Sequence, residues 1–452
     1  NIFFIVSLRN NREFIKEQNY MFMNIQKLGV CEIPSPLRTQ KDKVEKDLIF
    51  VKDTTFIPAT IEYDSQEMAS KTEQIFFEKA GPRERIFFNP KETIAGIVTC
   101  GGICPGLNNV IRSAVIELWF NYGVQKIWGF HYGYEGLNPE KNLPPITLDP
   151  EIVDEIHDEG GTILGTSRGP QDPEKMLAYL RSLGVNILFC VGGDGTHRGA
   201  YQIFLASQKS GYPISIIGIP KTIDNDILYT SRTFGFNTAI EEARRVMICA
   251  HTEAKSVLYG IGLVKLMGRD SGFVSAYATL ASQLVNYTII PEIPITLEGE
   301  GGFLPWLQER LLTREHALVV VAEGAGSEWM REKEKQRDAS GNIIYPDVGN
   351  FLRDKIIDHF KNQQIPIQMK YFDPSYLIRS VPANAEDSAF CDALARNAVH
   401  AGMTGRTGLT IGYIHNQFVH IPIELVIQGR KKVDPRGTLW QSVLASTGQP
   451  NL

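Results

Sequence analysis

The chain has 452 residues, of which 43% are hydrophobic and 21% are charged, and its formal net charge is -5 at pH 7. This length suits two domains that each bury a core, so a single small binding module is excluded. The negative balance supplies no basic field for gathering nucleic acid, so an anionic ligand must be met by locally concentrated Arg and Lys.

The first 90 residues show no clear hydrophobic period and include a charge run at 41–46. We therefore expect residues 1–90 to form an accessory extension. Residues 1–8 are hydrophobic but lack the basic stretch and cleavage site of a secretory leader. No apolar run approaches the roughly 18 residues of a membrane helix. We accordingly expect a cytoplasmic protein with neither a membrane nor a nucleic-acid partner.

From residue 94 onward, short apolar strands alternate with amphipathic helices. The first series predicts strands at 94–100, 127–130, 186–191 and 214–219, and helices from about 108, near 150, near 173 and after 196. This alternation is typical of a parallel sheet covered by helices.

A second series predicts further helices and strands of the same kind. Its helices are expected at 237–254, from 271, from 347 and at 386–401, its strands at 261–266, 317–322 and 367–372, with a charged loop at 331–338 and hairpin-like strands at the end. The fold class is therefore α/β, with two Rossmann-like parallel-sheet domains that carry helices on both faces, plus the N-terminal extension.

Six scattered cysteines show no metal-ligand spacing, which fits reduced thiols that pack in the interior. They are Cys31, Cys100, Cys104, Cys190, Cys249 and Cys391.

A glycine-rich segment, GGICPGLN at 101–108, lies between a predicted strand and a predicted helix. Glycines let backbone amides approach a ligand, and a helix start favours an anion. Many folds have a glycine-rich turn at this point, so the segment alone is weak evidence for a phosphate site.

A second glycine-rich segment, GGDGT at 192–196, follows the strand at 186–191. Asp194 then lies at the carboxyl end of a strand, where a hard oxygen ligand suits Mg²⁺. Asp194 as a turn or helix-capping residue is the alternative. The three surrounding glycines favour a site for phosphate and metal.

The strongest signal is PKTIDND at 220–226, directly after a predicted buried strand. Asp224 and Asp226 are two residues apart in an extended segment, so their side chains point the same way. One can serve as a general base while the other orients a ligand. A solvated acidic turn is the alternative, and it poorly explains Lys221 and Thr222 beside the two carboxylates.

Three arginines, Arg168, Arg269 and Arg379, follow strand-like runs or glycines. The planar guanidinium group binds two phosphate oxygens at once, although an ordinary surface role is open for each of them. Glu323 ends a predicted strand and either accepts hydrogen bonds from sugar hydroxyls or acts as a loop carboxylate.

Neither the P-loop motif nor the catalytic-loop motifs of protein kinases are present. Together, GGICPGLN, GTSRG, GGDGT, PKTIDND, MGRDSG, VAEGAG and KYFDPSYLIR resemble the phosphofructokinases, from about residue 85 to the end. The resemblance is to the plant-type ATP-dependent enzymes of the pyrophosphate-like branch. It implies transfer of a phosphoryl group from ATP to the 1-hydroxyl of fructose 6-phosphate with Mg²⁺, the committing step of glycolysis.

The resemblance also implies a domain division and a set of site residues. The ATP-binding domain would comprise 91–235 with 378–427, and the fructose 6-phosphate-binding domain 236–377 with 428–452. Catalytic roles fall to Asp224 as the base, with Arg168 and Lys221. The residues expected to bind ATP are Gly102, Arg168, Gly193, Asp194, Gly195 and Thr196, with Asp194 also holding Mg²⁺. Those expected to bind fructose 6-phosphate are Thr222, Asp224, Asp226, Met267, Gly268, Arg269, Glu323, Lys370, Tyr376 and Arg379.

Bacterial members of the family use phosphate ligands from a neighbouring subunit, so the resemblance implies a homotetramer. Lys370 stands where those enzymes carry Arg.

Two positions bear on the phosphoryl donor. Lys221 resembles the pyrophosphate-using relatives, whereas Gly195 differs from the Asp that those relatives carry. An Asp would add bulk and like charge beside the α-phosphate of a nucleotide, so Gly195 favours ATP. Pyrophosphate-dependent phosphofructokinase is the main alternative. A lipid or NAD kinase is a further alternative, but those enzymes share only the GGDGT segment with this chain. A catalytically silent regulatory subunit is disfavoured, because Asp194, Asp224 and Asp226 are retained.

Overall fold

The computed structural model describes residues 20–37, 50–62, 74–326, 329 and 347–450. The predictions for the hydrophobic segment 1–8, the charge run 41–46 and the charged loop 331–338 lie outside the described residues. In the described part of the chain, no helix has both the length and the apolar character needed to cross a membrane.

Six short strands form in the N-terminal segment. They are β1 (Tyr20–Met23), β2 (Gln26–Lys27), β3 (Ile33–Pro34), β4 (Phe56–Pro58), β5 (Gln74–Lys79) and β6 (Arg85–Ile86). Strand β5 pairs in parallel with β1 and antiparallel with β4. The sequence analysis predicted none of these strands.

Residues 94–220 form the first strand and helix series. Its elements are β7 (Ile94–Thr99), α1 (Leu107–Ile116), β8 (Lys126–Phe130), β9 (Ile146–Thr147), α2 (Pro173–Ser182), β10 (Ile187–Gly192), α3 (Asp194–Ser210) and β11 (Ser215–Pro220), and a π-helical segment, Glu117–Tyr122, continues α1. The predicted helix near residue 150 is wrong. Asp149 closes a turn there by accepting a hydrogen bond from the backbone N–H of Ile152, and only a short 3₁₀ turn, Ile156–Asp158, precedes Gly160 and Gly161.

Residues 236–372 form the second series. Its elements are α4 (Phe236–Lys255), β12 (Gly260–Leu266), α5 (Phe273–Ser282), β13 (Tyr287–Ile289), α6 (Phe303–Arg314), β14 (His316–Ala322), α7 (Val348–Asn362) and β15 (Gln368–Phe372). The strands make a four-stranded parallel sheet in the order β13-β14-β12-β15. Strand β13 and helix α6 were not predicted.

The last elements are α8 (Leu377–Ser380), α9 (Ala385–Met403), β16 (Arg406–Thr407), β17 (Leu409–Ile414), β18 (Gln417–Pro422), α10 (Ile423–Val426) and α11 (Thr438–Thr447). Strands β17 and β18 form the predicted hairpin, and β17 also lies parallel to β11. The larger sheet runs β1-β5-β18-β17-β11-β10-β7-β8-β9, with β4 paired to β5. The predicted α/β fold is confirmed. The N-terminal strands β1, β4 and β5 are part of its larger sheet, whereas β2 pairs with β16 and β3 pairs with β6.

Strands β10 and β11 are buried along their whole length, which explains their nearly continuous apolar sequences. They pair in parallel, as do β10 and β7. Val191 pairs with Thr99, and Gly192 pairs with Pro220, so these three strands end at one edge of the sheet. The segments that follow them are therefore neighbours in space.

Candidate active site

A cavity of about 860 Å³ opens where the carboxyl ends of the two sheets face each other. Its volume lies within the range of small-molecule sites. The cavity is lined by 14 of the residues that the sequence analysis assigned to ligand binding or catalysis, namely Gly102, Arg168, Gly193, Asp194, Gly195, Thr196, Lys221, Thr222, Asp224, Asp226, Met267, Arg269, Glu323 and Arg379. The GGDGT and PKTIDND segments thus contribute to one crevice.

The GGICPGLN segment forms a tight turn between β7 and α1. Gly101 has φ of 87°, a conformation that glycine adopts without strain, and its N–H donates to the carbonyl oxygen of Ser167 at 2.9 Å. A Cβ atom added to Gly102 would lie 3.2 Å from Nη1 of Arg379 and 3.4 Å from Nη2 of Arg168. Two guanidinium groups therefore converge beside Gly102, an arrangement that suits phosphate oxygens.

The GGDGT segment joins β10 to α3, and Asp194 is the first residue of that helix. Its Oδ2 atom lies 3.2 Å from Nε of Arg198 and 3.4 Å from Nη2 of Arg430. Its Oδ1 atom is buried and accepts no hydrogen bond from any residue that the structure describes. A Cβ atom added to the next residue, Gly195, would meet no atom within 4 Å, so the space beside Gly195 is open.

The free carboxylate oxygen of Asp194 fits a magnesium ligand, because Mg²⁺ prefers hard oxygen donors. Within the described residues, no group of three or more His, Cys, Asp or Glu side chains is arranged to hold a metal ion. The six cysteines, all in the described part of the chain, are free thiols and four of them are buried.

The TIDND segment is fixed by its own asparagine. Asn225 has φ of 51°, and its amide accepts from the backbone N–H of Thr233 at 3.1 Å and donates to the carbonyl oxygen of Ser231 at 3.2 Å. These contacts hold Asp224 and Asp226 toward the cavity. Burial raises the pKa of Asp224 well above its usual range, and the charges of Asp226 and Glu323 raise it further.

The Oδ1 atom of Asp224 is also buried without a hydrogen-bond partner. An oxygen of this kind is free to accept a proton from a bound hydroxyl group. Burial raises the pKa of Asp226 as well, against the opposing charge of Arg430.

The second sheet supplies the opposite wall of the cavity. Met267, Arg269 and Asp270 follow β12, and Glu323 follows β14. The hydroxyl group of Ser271 donates to the carbonyl oxygen of Asp224 at 3.2 Å, so the MGRDSG turn contacts the TIDND segment directly. Burial raises the pKa of the Glu323 carboxyl.

Three of the predicted substrate residues do not line this cavity. Gly268 shapes the MGRDSG turn with φ of 127°, and a Cβ atom there would lie 2.5 Å from the carbonyl oxygen of Ser271. Lys370 is exposed on β15. Tyr376 is 74% exposed, and the Arg379 guanidinium lies 4.9 Å from the centre of its ring. Their contacts with a ligand stay predictions.

Other residues that line the cavity were missed, including Arg198, Gln202, Asp270, Arg430 and Lys432. Arg430 and Lys432 belong to a basic run that follows Gly429. The basic run is the signal for Arg430 and Lys432, but its distance along the chain from the other motifs hides its place in the site. Asp270 lies within the MGRDSG motif.

The comparisons with known proteins agree with this geometry. A sequence profile described as "Phosphofructokinase" matches residues 94–402. The chain belongs to the phosphofructokinase family. It is similar to the ATP-dependent 6-phosphofructokinase of Borreliella burgdorferi, with 46% identity over 442 residues that cover 96% of this chain and 98% of the relative. It is also similar to the ATP-dependent 6-phosphofructokinase 7 of Arabidopsis thaliana, with 45% identity over 379 residues, 83% of this chain and 78% of the relative.

Solved phosphofructokinases share the fold. The pyrophosphate-dependent enzyme of Marinobacter aquaeolei aligns with a TM-score of 0.62 and 20% identity, over 79% of this chain and 91% of that one. The Saccharomyces cerevisiae phosphofructokinase aligns with a TM-score of 0.58 and 22% identity. The alignment covers 78% of this chain and 47% of the yeast chain, so this chain spans about half of the yeast chain's length. The predicted family and fold are confirmed.

Proposed function

We propose that this chain is an ATP-dependent 6-phosphofructokinase, which transfers a phosphoryl group from ATP to the 1-hydroxyl of fructose 6-phosphate in the committing step of glycolysis. One observation carries the proposal. Asp194 and Asp224 line the same cavity, and each has one buried carboxylate oxygen without a hydrogen-bond partner among the described residues. One oxygen is available for a metal ion and the other for a proton.

Asp224 acts as the base that takes the proton from the attacking hydroxyl group. Its burial and raised pKa support this role, because a base works best when its pKa is near the working pH. Thr222 orients Asp224, since its hydroxyl oxygen accepts from the Asp224 N–H at 3.0 Å. Mg²⁺ bound to Asp194 would neutralise charge on the donor phosphates.

The donor phosphates lie against the two glycine-rich turns, at Gly102 and at Gly193, Gly195 and Thr196. Arg168 and Lys221 stabilise the negative charge of the transferred group, since both line the cavity and both lie beside the first glycine-rich turn, Arg168 at Gly102 and Lys221 at Gly101 and Gly102. Positioning and charge neutralisation supply most of the acceleration in phosphoryl transfer.

The sugar phosphate occupies the wall formed by the second sheet. Arg269 and Arg379 bind its phosphate group, while Glu323 and Asp226 accept hydrogen bonds from sugar hydroxyls. Met267 packs against the sugar, and Gly268 shapes the turn that presents Met267 and Arg269.

ATP is the donor because of the space beside Gly195. A Cβ atom built at Gly195 would have no described neighbour within 4 Å. This open space leaves room for the α-phosphate and nucleoside of ATP. Relatives named as ATP-dependent enzymes match the chain over most of its length, which supports the same choice.

The domain division, the assembly and the location follow from the same proposal. Residues 91–235 with 378–427 bind ATP, and residues 236–377 with 428–452 bind fructose 6-phosphate. The enzyme is a cytoplasmic homotetramer. Lys370 and Tyr376, which are exposed outside the cavity of their own chain, bind fructose 6-phosphate where a neighbouring subunit approaches.

Initial rates with fructose 6-phosphate test the proposal, with ATP and pyrophosphate compared at equal concentrations and with Mg²⁺ in excess. We expect fructose 1,6-bisphosphate to form with ATP and at least 100-fold more slowly with pyrophosphate. A preference for pyrophosphate would reverse the choice of donor. Phosphorylation of NAD in place of the sugar, or no turnover with either donor, would refute the proposed activity.

A further inference from the structure

Arg430 lies among three carboxylates that come from three different segments of the cavity wall. Its Nη1 atom contacts Oδ2 of Asp270, its Nη2 atom lies 3.4 Å from Oδ2 of Asp194, and its Nε atom lies 3.8 Å from Oδ2 of Asp226. Asp194 and Asp226 follow strands β10 and β11 of the first series, and Asp270 follows strand β12 of the second. One guanidinium group therefore joins both walls of the cavity.

The backbone around Arg430 is held independently of its side chain. The N–H of Lys431 donates to the carbonyl oxygen of Asp226 at 2.8 Å, and its ammonium group donates to the carbonyl oxygen of Thr230 at 2.8 Å. The N–H of Val433 donates to Oε1 of Glu292 at 2.9 Å, and the same oxygen accepts from the N–H of Gly272. The segment 429–433 is thus anchored on both sides of the cleft.

We propose that Arg430 is a positioning residue, which holds the metal-side Asp194 and the sugar-side Asp270 in register across the cleft. The inference rests on the proposed function, since it concerns the reaction that these two walls carry out. Arg430 and Arg198 both contact Oδ2 of Asp194, and Oδ1 has no hydrogen-bond partner among the described residues. The two arginines together therefore present a single carboxylate oxygen to a metal ion, and Arg430 is the one that also reaches the second wall of the cavity.

Arginine suits this position for a geometric reason. Its planar group carries five N–H donors in a fixed arrangement, so it can meet three carboxylates at once. The ammonium group of lysine is a compact charge on a flexible stem, and it cannot span the same three partners. A positive charge without the planar geometry is therefore insufficient to hold the three carboxylates. This requirement distinguishes a positioning role from simple neutralisation of their charge.

The test compares four forms of the full-length enzyme. Arg430→Met removes the charge and keeps the length, and Arg430→Lys keeps the charge and loses the planar geometry. Arg436→Met is the matched control, because Arg436 lies three residues after the segment 429–433, is exposed and is not among the residues that line the cavity. The wild type completes the set.

We expect kcat to fall roughly 10- to 100-fold in Arg430→Met and by a smaller factor in Arg430→Lys, with a lesser change in KM for either substrate. Arg436→Met is expected to stay within twofold of the wild type. Manganese ions alone, followed by electron paramagnetic resonance without substrates, are expected to bind Arg430→Met about twofold to fivefold more tightly, because a competing cation has left Asp194.

A kcat for Arg430→Met within twofold of the wild type would overturn the proposal. A fall in kcat together with weaker manganese binding and a lower Tm would also overturn it, since Arg430 would then be a general structural residue. If the wild type itself fails to phosphorylate fructose 6-phosphate, the proposed function fails. The manganese measurement still decides whether Arg430 occupies Asp194.

Discussion

The ammonium group of Lys221 donates a hydrogen bond to the carbonyl oxygen of Gly102, with 2.5 Å between Nζ and O. This contact joins the segment that carries the two catalytic-site aspartates to the first glycine-rich turn. Lys221 is only 6% exposed, and burial lowers its pKa, as do the neighbouring charges of Arg168 and Arg379. Three cationic side chains are therefore concentrated where the transferred phosphate is proposed to lie.

Replacing Lys221 by Met is expected to lower kcat/KM for ATP by roughly 10²- to 10³-fold, the usual effect of losing one donor aimed at developing negative charge. Steady-state rates with fructose 6-phosphate check this. Lys209→Met is the control, because Lys209 is exposed and forms a surface pair with Glu174. Similar losses in both variants would show that the effect is not specific to the site.

Replacing Asp224 by Asn is expected to lower kcat by roughly 10²- to 10⁴-fold, because the base is lost, while fructose 6-phosphate still binds. Binding is measured by calorimetry with the sugar phosphate alone. Asp270→Asn serves as a comparison, since Asp270 lines the same cavity but is not the proposed base. Turnover of Asp224→Asn near that of the wild type would refute the assignment.

The pH dependence follows from the raised pKa of Asp224. Only the ionised carboxylate accepts a proton, so kcat/KM is expected to fall as the pH drops through a pKa above the ordinary range of Asp. Ionisation of Asp224 has the opposite effect on the stability of the fold. A carboxyl with a raised folded pKa destabilises the fold once it is ionised, so Asp224→Asn is expected to raise Tm at neutral pH.

That gain in Tm is expected to shrink as the pH falls, because protonated Asp and Asn are then both uncharged. Thermal melts of the wild type and of Asp224→Asn between pH 5 and pH 8 provide the measurement. A lower Tm for Asp224→Asn at neutral pH would contradict the assigned direction of the shift.

Replacing Gly195 by Asp is expected to reduce kcat/KM for ATP more than roughly 100-fold. The fold should tolerate the change, since a Cβ atom there meets no neighbour within 4 Å and an acidic residue suits the first turn of a helix. Gly195→Asn separates the two causes, because it adds nearly the same bulk without charge. Retained ATP use by Gly195→Asp, with an unchanged Tm, would remove Gly195 as the donor determinant.

The sequence was most informative where local pattern and burial agree. Strands β10 and β11 are apolar because both of their faces are buried. The glycines around Asp194 mark the turn after β10, and this composition is enough to predict a phosphate and metal site there. Gly102, Asp194 and Asp224 could be assigned to one crevice from the rule that parallel strands end at a common edge.

Strand β5 and the role of Arg430 were not predicted, because both depend on contacts between distant parts of the chain. Glu78 is 4% exposed, and such a buried charge disguises β5, because one of the two arginines that pair with it, Arg406, lies 328 residues further along. Arg430 was missed for the same reason. Its three carboxylate partners are at least 160 residues away, and no local pattern records such contacts.

A buried ion cluster ties β5 to the C-terminal strands, and its loss is the last prediction. Nε of Arg406 donates to Glu78 at 2.9 Å, and Nη2 donates to Asp53 at 2.7 Å. Arg406 is 1% exposed, so Arg406→Met removes one of the two buried guanidinium groups that pair with Glu78 and leaves Arg83 as the other. We expect a loss of about 1.5 to 3 kcal/mol in the free energy of unfolding, the usual cost of losing hydrogen bonds to a charged group, measured by urea denaturation.

The stabilising effect of this cluster is lost at acidic pH. Burial opposes the shift, but Lys27 and Arg406 lower the pKa of Asp53 to about 2, so its contribution is complete above the ordinary pKa of Asp and is lost as the pH falls toward 2. Arg85→Met is the control, because Arg85 is exposed and, among the described residues, donates to the backbone carbonyl oxygen of Glu32, and we expect it to cost about 1 kcal/mol or less. Equal losses for Arg85→Met and Arg406→Met at neutral pH would show that burial of the cluster contributes nothing, since only Arg406→Met removes hydrogen bonds to the buried carboxylate of Glu78.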